Sequence, residues 1–473
     1  MPRWRAHLPR LLPGLLLGAF SLLVTAQTQE EIGWRGEVGA GGTAKQQASA
    51  PDLSTAPRVG VDRPKPQFML HERNKRVHGL KPFQPLVDAA PAGSVLKPPP
   101  GSYAGPVVVT KKLTIDGGGR VTIDAGDRGT VFSLEADNSV LRGLHLTGSG
   151  DSHDTDDACL DVRAHRATIE NLKIDNCLFG IDLKQSSQSI VRNNAIESKK
   201  PRDLGVRGDG LRLWYSNDNM VEGNTITDSR DMVAWYSHRN TFRNNVGMRS
   251  RYSIHFMFAN YNIVEGNKFH DNAVGVYFMY AEGGTAKNNL ISHATGAAGM
   301  ALGFKESSDI DIEGNEIIYC AVGIGSDLSP FQPNTTIRFK NNRIAYNGIG
   351  FQFTSELGGN IATGNIMEGN LNHVIQSGRG AGGLNQWRGN YWDDYQGFDR
   401  NHDGIGDTPY ELYAYADQLW MEMPVARFFK TSPVLELLDF LERLAPFSTP
   451  ELQAKDEIPL YVKPQRTNRM TEG

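Results

Sequence analysis

Short apolar segments alternate with polar turns at a nearly constant spacing through the middle of the chain. Between residues 207 and 282, each apolar segment is followed by a small residue, an asparagine, an apolar pair and a second asparagine. One asparagine register recurs at steps of 21 or 22 residues, at Asn224, Asn245, Asn267 and Asn289. A second register follows the same steps, at Asn219, Asn240 and Asn262. The first register continues at longer steps, at Asn315, Asn342, Asn365 and Asn390. A period in the twenties is typical of a solenoid, in which each unit buries its apolar face against its neighbours.

The apolar segments have the length and composition of strands. Runs such as SIHFMF and GVYFMY are rich in aromatic and β-branched residues and are bounded by Gly, Asn and Asp. They lack the 3.6-residue period that a helical repeat needs. The pattern therefore predicts an all-β fold, a parallel β-helix. At each bend we expect the asparagine to take up the left-handed backbone conformation and its amide to stack on the asparagine of the next coil.

Period-two alternation assigns the side chains of the repeat to an inner and an outer side. Three columns are predicted to point inward: Leu211, Met232, Ile254 and Val276; Leu213, Ala234, Phe256 and Phe278; and Tyr215, Tyr236, Phe258 and Tyr280. Met300 is also expected in the core. Two columns are predicted to point outward: Arg212, Val233, His255 and Tyr277; and Trp214, Trp235, Met257 and Met279. Because solvent does not favour an outward column of Trp and Met, Trp214 and Trp235 are predicted to mark an interaction face.

The outward columns also contain candidate metal ligands. His255 and Met257 lie on the same face of one predicted strand, and Met279 lies on the next coil, about 4.8 Å away. One imidazole and two thioethers are soft, neutral ligands suited to Cu(I), and a site without thiolate can release the ion again. We therefore take His255, Met257 and Met279 as a candidate copper site. The alternative is that these side chains pack under a loop or against another protein.

Composition and the amino terminus narrow the class of protein. The chain has 473 residues and a net charge of -4, with a pI near 6.3, so no basic surface for nucleic acid is expected. Residues 1–26 combine an Arg-containing start, an apolar run and a small-residue cleavage site, which predicts a secretory signal peptide. Residues 27–67 are rich in Gly, Ala, Gln, Pro and Ser and are predicted to form a disordered linker. Residues 68–105 are predicted to form an N-terminal cap, and residues 106–390 the parallel β-helix.

Beyond residue 390 the sequence becomes acidic and glycine-rich. Residues 391–430 are predicted to form a capping loop, and its DRNHDGIGD core places Asp399, Asn401, Asp403 and Asp407 at positions 1, 3, 5 and 9 of a calcium-like loop. The twelfth position is Tyr410 instead of Glu, so an acidic turn without metal is the alternative. Residues 431–473 are predicted to form an amphipathic helix, starting near Pro433 and ending before Pro446, and a tail.

The chain has three cysteines, Cys159, Cys177 and Cys320. Cys159 and Cys177 do not lie on adjacent coils in the predicted register. The sequence therefore allows a disulfide between them without requiring one, and it favours buried, small apolar side chains.

Several strings together resemble the NosD family of periplasmic accessory proteins for copper-site maturation in nitrous oxide reductase. They are GDGLRLWYSND, RDMVAWYS, RYSIHFMF, NAVGVYFMY, GNYWDDYQGFDRNHDGIGDTPY and LLDFLERLAPF. The resemblance implies a right-handed β-helix in the periplasm that works with the membrane subunit of an ABC transporter and its ATPase. It also implies that Cu(I) is a transient cargo, received from a donor chaperone and passed to the apo-reductase. On this basis the chain itself is expected not to be an enzyme.

Two other functions fit parts of the sequence. β-Helices commonly cleave acidic polysaccharides, and Thr155-Asp156-Asp157 and Gly208-Asp209-Gly210 resemble fragments of polygalacturonase motifs. The accompanying Gly-His-Gly and Arg-Ile-Lys elements are missing, as is the Asp-Pro-His-Glu string of alginate epimerases. A metal-free surface solenoid fits the repeat but leaves the Trp and Met column unexplained.

Overall fold

The computed structural model describes residues 77, 79–199, 203–296, 298–377, 383–414, 441 and 450–465. These residues all lie in the unit that spans Leu70–Gly473. The predicted signal peptide and linker lie outside the described residues, as does the predicted C-terminal helix apart from Leu441. Among the described residues, no helix has the length and hydropathy that a membrane span requires.

The predicted parallel β-helix is confirmed, and its coil is right-handed. Each coil contributes strands to three faces. The first face is a sheet of 12 parallel strands. Its strands are Val107–Val109, Phe132–Leu134, Ala158–Val162, Phe179–Lys184, Leu211–Trp214, Asp231–Trp235, Tyr252–Met257, Val274–Met279, Met300–Lys305, Val322–Asp327, Ile349–Phe353 and Asn372–Gln376.

The second and third faces are built from shorter strands, and two long strands, Thr114–Asp124 and Val140–Thr147, run along both. The second face continues with Thr168–Glu170, Ile190–Arg192, Met220–Glu222, Thr241–Arg243, Asn262–Glu265, Glu282–Lys287, Ser308–Glu313, Arg338–Lys340, Ile361–Thr363 and Gln386–Arg388. The third face continues with Lys173–Cys177, Ala195–Ser198, Thr225–Thr227, Val246–Met248, Lys268–His270, Leu290–Ser292, Glu316–Ile318, Arg343–Ala345, Ile366–Glu368 and Tyr391–Trp392.

Both predicted asparagine registers form hydrogen-bonded ladders inside the corners of the coil. In the first register each side-chain amide nitrogen donates to the side-chain oxygen of the next asparagine, at 2.9–3.0 Å from Asn224 through Asn390. The expectation that these asparagines are themselves left-handed is wrong. The preceding residue has the positive φ instead, as at Gly223 (65°) and Asn244 (54°). The tight bend is thus made one residue earlier, which leaves the ladder asparagine free to point inward and bond to the next coil.

The core follows two of the three predicted inward columns. Leu211, Leu213, Ile254 and Phe256 are fully buried, and Met232 is buried as predicted, with 1% of its surface exposed. Their neighbours in the same columns pair with them along the first face, with a shift of register at Met232 between the strands Asp231–Trp235 and Tyr252–Met257.

The third predicted column does not point inward. Tyr215, Tyr236, Phe258 and Tyr280 follow directly on the strand ends and have φ values of 48°, 47°, 50° and 53°. A left-handed residue breaks the alternation on which the face assignment depends, because it rotates the side chain out of the pleat. The four rings stack on one another on the outside, with centroids 4.9, 5.2 and 4.7 Å apart.

Both ends of the coil are closed by elements outside the repeat. At the amino-terminal end lie strands Lys81–Pro82, Val95–Leu96 and Gly101–Ala104 and helix Gln84–Ala89. A 3₁₀ turn, Leu204–Val206, lies between two coils. At the carboxyl-terminal end, Tyr410–Ala414 and Glu451–Asp456 form an antiparallel pair, and Asp456 also pairs with Trp387 of the last second-face strand.

Cys159 and Cys177 form a disulfide. The two residues come from the first-face strand and the third-face strand of the same coil, and both are buried. The sequence favoured unpaired cysteines because only neighbours along one column were compared, whereas this bond crosses the interior between faces. Cys320 is buried and free, and burial raises the pKa of its thiol to about 11.

Candidate metal centre

The register of the first face brings the predicted Trp and Met column together. Trp214 pairs with Trp235, Trp235 with Met257, and Met257 with Met279. The next residue along this column is Lys305. The four side chains are only half-buried, which agrees with an outward orientation. Met257 and Met279 are therefore direct neighbours on adjacent coils, with backbones about 4.8 Å apart.

His255 lies two residues before Met257 on the same strand and the same side. It pairs with Val233 on one coil and with Tyr277 on the next. The ring of Tyr252 stacks on its imidazole with centroids 4.7 Å apart, and Tyr277 approaches it edge-on at 6.0 Å. Among the described residues, Nε2 of His255 is one of few buried side-chain polar atoms without a hydrogen-bond partner. A buried polar atom without a partner lowers the stability of the fold, and a ligand that binds this atom would compensate for the loss.

The surroundings of His255 keep its imidazole neutral. Burial, assisted by the nearby Arg251 guanidinium, lowers the pKa of His255 to about 4. The imidazole is therefore neutral throughout the neutral range, and one of its two ring nitrogens has a lone pair that can bind a metal.

Near His255 lie two ion pairs with buried aspartates that the sequence did not reveal. Arg230 bonds to both oxygens of Asp209, at 2.9 and 3.2 Å, and Arg251 bonds to Asp231. Burial and the neighbouring Asp231 raise the pKa of Asp209. Both aspartates are paired with arginines, so we assign Asp209 a structural role.

The donor set fits a soft monovalent ion. Two thioethers in register and a neutral imidazole with a free nitrogen are on one side of one sheet. Thioether and imidazole donors suit Cu(I), whereas Mg²⁺ and Ca²⁺ need carboxylate or carbonyl oxygens. The structure thus brings all three predicted residues to one surface.

The predicted interaction face is continuous with these residues. The rings of Trp214 and Trp235 are in edge contact, with centroids 5.2 Å apart. Trp214 also contacts Tyr215 and Tyr236, two members of the outer aromatic ladder that these tyrosines form with Phe258 and Tyr280. Phe258 of that ladder is 37% exposed. A contiguous apolar surface of this kind is typical of a binding site for another protein.

Met300 does not lie in the main core as predicted. It is half-buried and packs against a separate outer cluster of Val322, Ile349 and Ile375. Its sulfur lies over Gly303, where an added Cβ would come within 2.7 Å of Sδ and would also collide with the Tyr277 ring. Met300 lies three residues before Gly303 and pairs with Val322 of the next strand. The Met300 side chain therefore lies over Gly303 and Gly325 on the outer side of the sheet.

The predicted calcium-like residues lie together in one exposed loop. Asp399 accepts hydrogen bonds from the backbone N–H groups of Asp403 (3.1 Å) and Gly404 (2.9 Å). Asn401 donates to Asp403 at 2.8 Å, and Asp407 accepts from the N–H of Arg400 at 2.9 Å. Gly404 makes a sharp turn in this loop, with a φ of 82°.

A further cluster of possible ligands joins the last coil to this acidic loop. Nε2 of His373 lies 2.9 Å from Asp393 and 3.4 Å from Asp394, and the three ligand atoms lie within 4.8 Å of one another. Burial lowers the pKa of His373, but the hydrogen bonds to Asp393 and Asp394 outweigh burial and raise the pKa to about 9. At neutral pH the cluster is therefore a buried ion pair. No sequence pattern indicated it, because the histidine precedes the aspartates by some twenty residues and a turn.

Comparisons with known proteins agree with this fold. A family model described as "Periplasmic copper-binding protein (NosD)" matches residues 198–397, and a model of a right-handed β-helix region matches residues 131–250. The A-module of mannuronan C-5 epimerase AlgE6 from Azotobacter vinelandii aligns with a TM-score of 0.52 at 16% identity, covering 67% of this chain and 98% of that module. At this identity the likeness concerns the fold alone.

Two curated relatives bear the name "Probable ABC transporter binding protein NosD". The one from Pseudomonas aeruginosa is 28% identical over 398 residues, which is 73% of this chain and 83% of the relative. The one from Stutzerimonas stutzeri is 35% identical over 130 residues, which is 26% of this chain and 29% of the relative. The coil defines the chain as a right-handed parallel β-helix protein. Within that class, the chain is similar to the NosD family, through the family model over residues 198–397 and through the relative from Pseudomonas aeruginosa over most of its length.

Proposed function

We propose that this chain is a periplasmic accessory protein that binds Cu(I) and, with an ABC transporter, delivers it to apo nitrous oxide reductase. The observation on which the proposal depends most is Nε2 of His255, a buried nitrogen without a hydrogen-bond partner on a neutral imidazole, beside two thioethers in register. The family description as copper-binding and the relatives' name as transporter-binding support the same function. The chain is not itself an enzyme in this proposal.

The absence of charge on the three donors suits an ion that has to be released. Thiolate ligands hold Cu(I) tightly, whereas thioethers and a neutral imidazole bind it without neutralising its charge. Release then follows from a change of state in the transporter that lowers the affinity of the site, which requires that the two states differ in their affinity for the ion. ATP hydrolysis is assigned to the transporter's ATPase subunit.

The interaction face provides the partner contact in this proposal. Trp214 and Trp235 adjoin Met257 in one column, so a protein docked on the tryptophans lies next to the metal. We assign this face to the copper donor chaperone or the reductase. Aromatic residues at the centre of an interface commonly dominate its affinity.

Anaerobic Cu(I) titration against a chromogenic Cu(I) chelator tests the proposal. We expect His255→Gln and Met257→Leu/Met279→Leu each to lower the affinity of one bound copper by at least about tenfold, because each removes ligands without changing side-chain size greatly. Met220→Leu is the matched control, since Met220 is a half-buried methionine on the second face. Wild-type affinity in both site variants would contradict the proposal.

We also propose a structural calcium ion in the loop of Asp399, Asn401, Asp403 and Asp407. The support is the spacing of these residues and their convergence in one exposed turn. Their hydrogen bonds already hold the loop without an ion, so the calcium would add stability to the carboxyl-terminal cap and have no part in copper binding.

A further inference from the structure

Met248 and His270 are cross-strand partners on the outer side of the third face. Phe269, the residue before His270 in the same strand, is buried and points inward. Period-two alternation therefore turns His270 outward. Both side chains are half-buried. Direct neighbours in adjacent parallel strands have backbones about 4.8 Å apart, which places one thioether beside one imidazole.

These two residues come from the same coils as the proposed copper ligands. Met248 ends the third-face strand Val246–Met248, and residues 249–251 then turn the chain into the first-face strand Tyr252–Met257. His270 precedes the strand Val274–Met279 in the same way. One corner of the coil therefore separates the two groups of soft donors.

The imidazole of His270 is oriented as in many metal sites. Its Nδ1 lies 2.9 Å from Oδ2 of Asp271. A carboxylate at this position holds the proton on Nδ1, which leaves the lone pair of Nε2 available for a metal. Met248 is the neighbouring side chain that can provide a second soft donor.

The contacts of Met248 show that its sulfur can face a positive charge. Nη1 of Arg249 lies 2.9 Å from Sδ, so an N–H group points at a sulfur lone pair. The same guanidinium is bonded to both oxygens of Asp228, at 3.0 and 2.7 Å, which offsets its charge. Asp271 adds a negative charge beside His270, so a monovalent cation is electrostatically acceptable at this place.

We infer that Met248 and His270 form a second Cu(I) site, two-coordinate through the thioether sulfur and Nε2. The choice of metal rests on the proposed function, whereas the location rests on the contacts just described. Binding replaces the N–H contact of Arg249 to the sulfur, and the guanidinium stays bonded to Asp228. Two soft donors suffice for Cu(I) or Ag(I), whereas divalent ions require more ligands.

The test is the number of Cu(I) equivalents bound by the full chain, measured anaerobically with a chromogenic chelator. The wild type is expected to bind about two equivalents, and Met248→Leu/His270→Gln and His255→Gln/Met257→Leu/Met279→Leu about one each. Met220→Leu serves as control and is expected to bind as the wild type does. Unchanged thermal unfolding of each variant shows that a lost equivalent is a lost site.

A second measurement locates the metal independently. With ¹³C-methyl-labelled methionine, Ag(I) as a redox-inert probe is expected to shift the ε-methyl resonance of Met248, and Met248→Leu identifies that resonance. Wild-type stoichiometry in Met248→Leu/His270→Gln, or a Met248 resonance that does not move, would overturn the second site. If this variant loses an equivalent but the His255 variant loses none, the second site stands and the proposed site at His255 falls. Absence of any copper binding would overturn both.

Discussion

Asp456 terminates the asparagine ladder that begins at Asn194. Its Oδ2 accepts hydrogen bonds from the backbone N–H and the side-chain amide of Asn390, both at 2.9 Å. Asp456 therefore takes the place that the next asparagine would have. Its other oxygen accepts from the N–H of Gly389 at 3.0 Å. A carboxylate has acceptors only, so the ladder ends with every donor of the last rung satisfied.

We expect Asp456→Ala to lower the free energy of unfolding by about 1–3 kcal/mol, because it leaves several buried donors unpaired. Urea unfolding followed by circular dichroism measures the change. Asp456→Asn keeps one acceptor oxygen and is expected to lose less stability than Asp456→Ala. Equal stability of the alanine variant and the wild type would show that the carboxyl-terminal strand does not cap the coil.

Removal of the Cys159–Cys177 disulfide is expected to destabilise the fold without affecting copper binding. The bond closes a loop with a sequence separation of 18, and a loop of similar size contributes about 3 kcal/mol in the chain-entropy model. Cys159→Ala/Cys177→Ala should lower the unfolding midpoint and keep the wild-type Cu(I) affinity. Cys320→Ala is the control, since Cys320 is buried but unpaired. A loss of copper affinity in the double variant would be contrary to this expectation.

His373 makes stability depend on pH at the carboxyl-terminal end. Its pKa is raised to about 9 in the fold, from about 6.5 in the unfolded chain. The folded state therefore holds the proton more tightly, and the stabilisation is fully present below pH 6.5 and is lost as pH rises through 9. We expect His373→Gln to weaken the pH dependence of the thermal unfolding midpoint between pH 6 and pH 10. A wild-type midpoint that does not fall over this range would refute the ion pair with Asp393 and Asp394.

Calcium is expected to raise the unfolding midpoint of the wild type and to leave the midpoint of Asp399→Ala/Asp403→Ala unchanged. The reason is that an ion binding only the folded state stabilises it by mass action. Differential scanning calorimetry with calcium and with a calcium chelator compares the two conditions. An identical midpoint of the wild type in both would show that the loop is an acidic turn without metal.

The repeat and its ladders could be predicted from the sequence because the asparagine spacing is a local pattern that recurs in register. The inward or outward direction of a side chain could also be predicted wherever the period-two alternation holds, as for Phe256 and His255. Alternation fails where the backbone becomes left-handed, and Phe258 was misassigned for this reason. Since the same aromatic residue fits a core or an outer ladder, composition could not correct the error.

The tertiary contacts of the candidate sites could not be predicted in the same way. The pairing of Met257 with Met279 follows from the repeat, but the stacking of Tyr252 on His255 depends on an irregular strand start. The disulfide and the cluster of His373 join different faces or a coil and a loop. Such contacts depend on the path of the chain in three dimensions, which a periodic pattern does not contain.

Copper X-ray absorption of the Cu(I)-loaded protein tests the proposed site most directly. In the Met248→Leu/His270→Gln background, the first coordination shell should contain sulfur and nitrogen scatterers. The sulfur contribution should disappear in the further variant Met257→Leu/Met279→Leu. The spectrum should also stay the same from pH 8 to pH 5.5, because the pKa of His255 is lowered to about 4 by burial and by Arg251. A shell of nitrogen and oxygen alone, or a sulfur shell that survives loss of both methionines, would contradict a copper site at His255, Met257 and Met279.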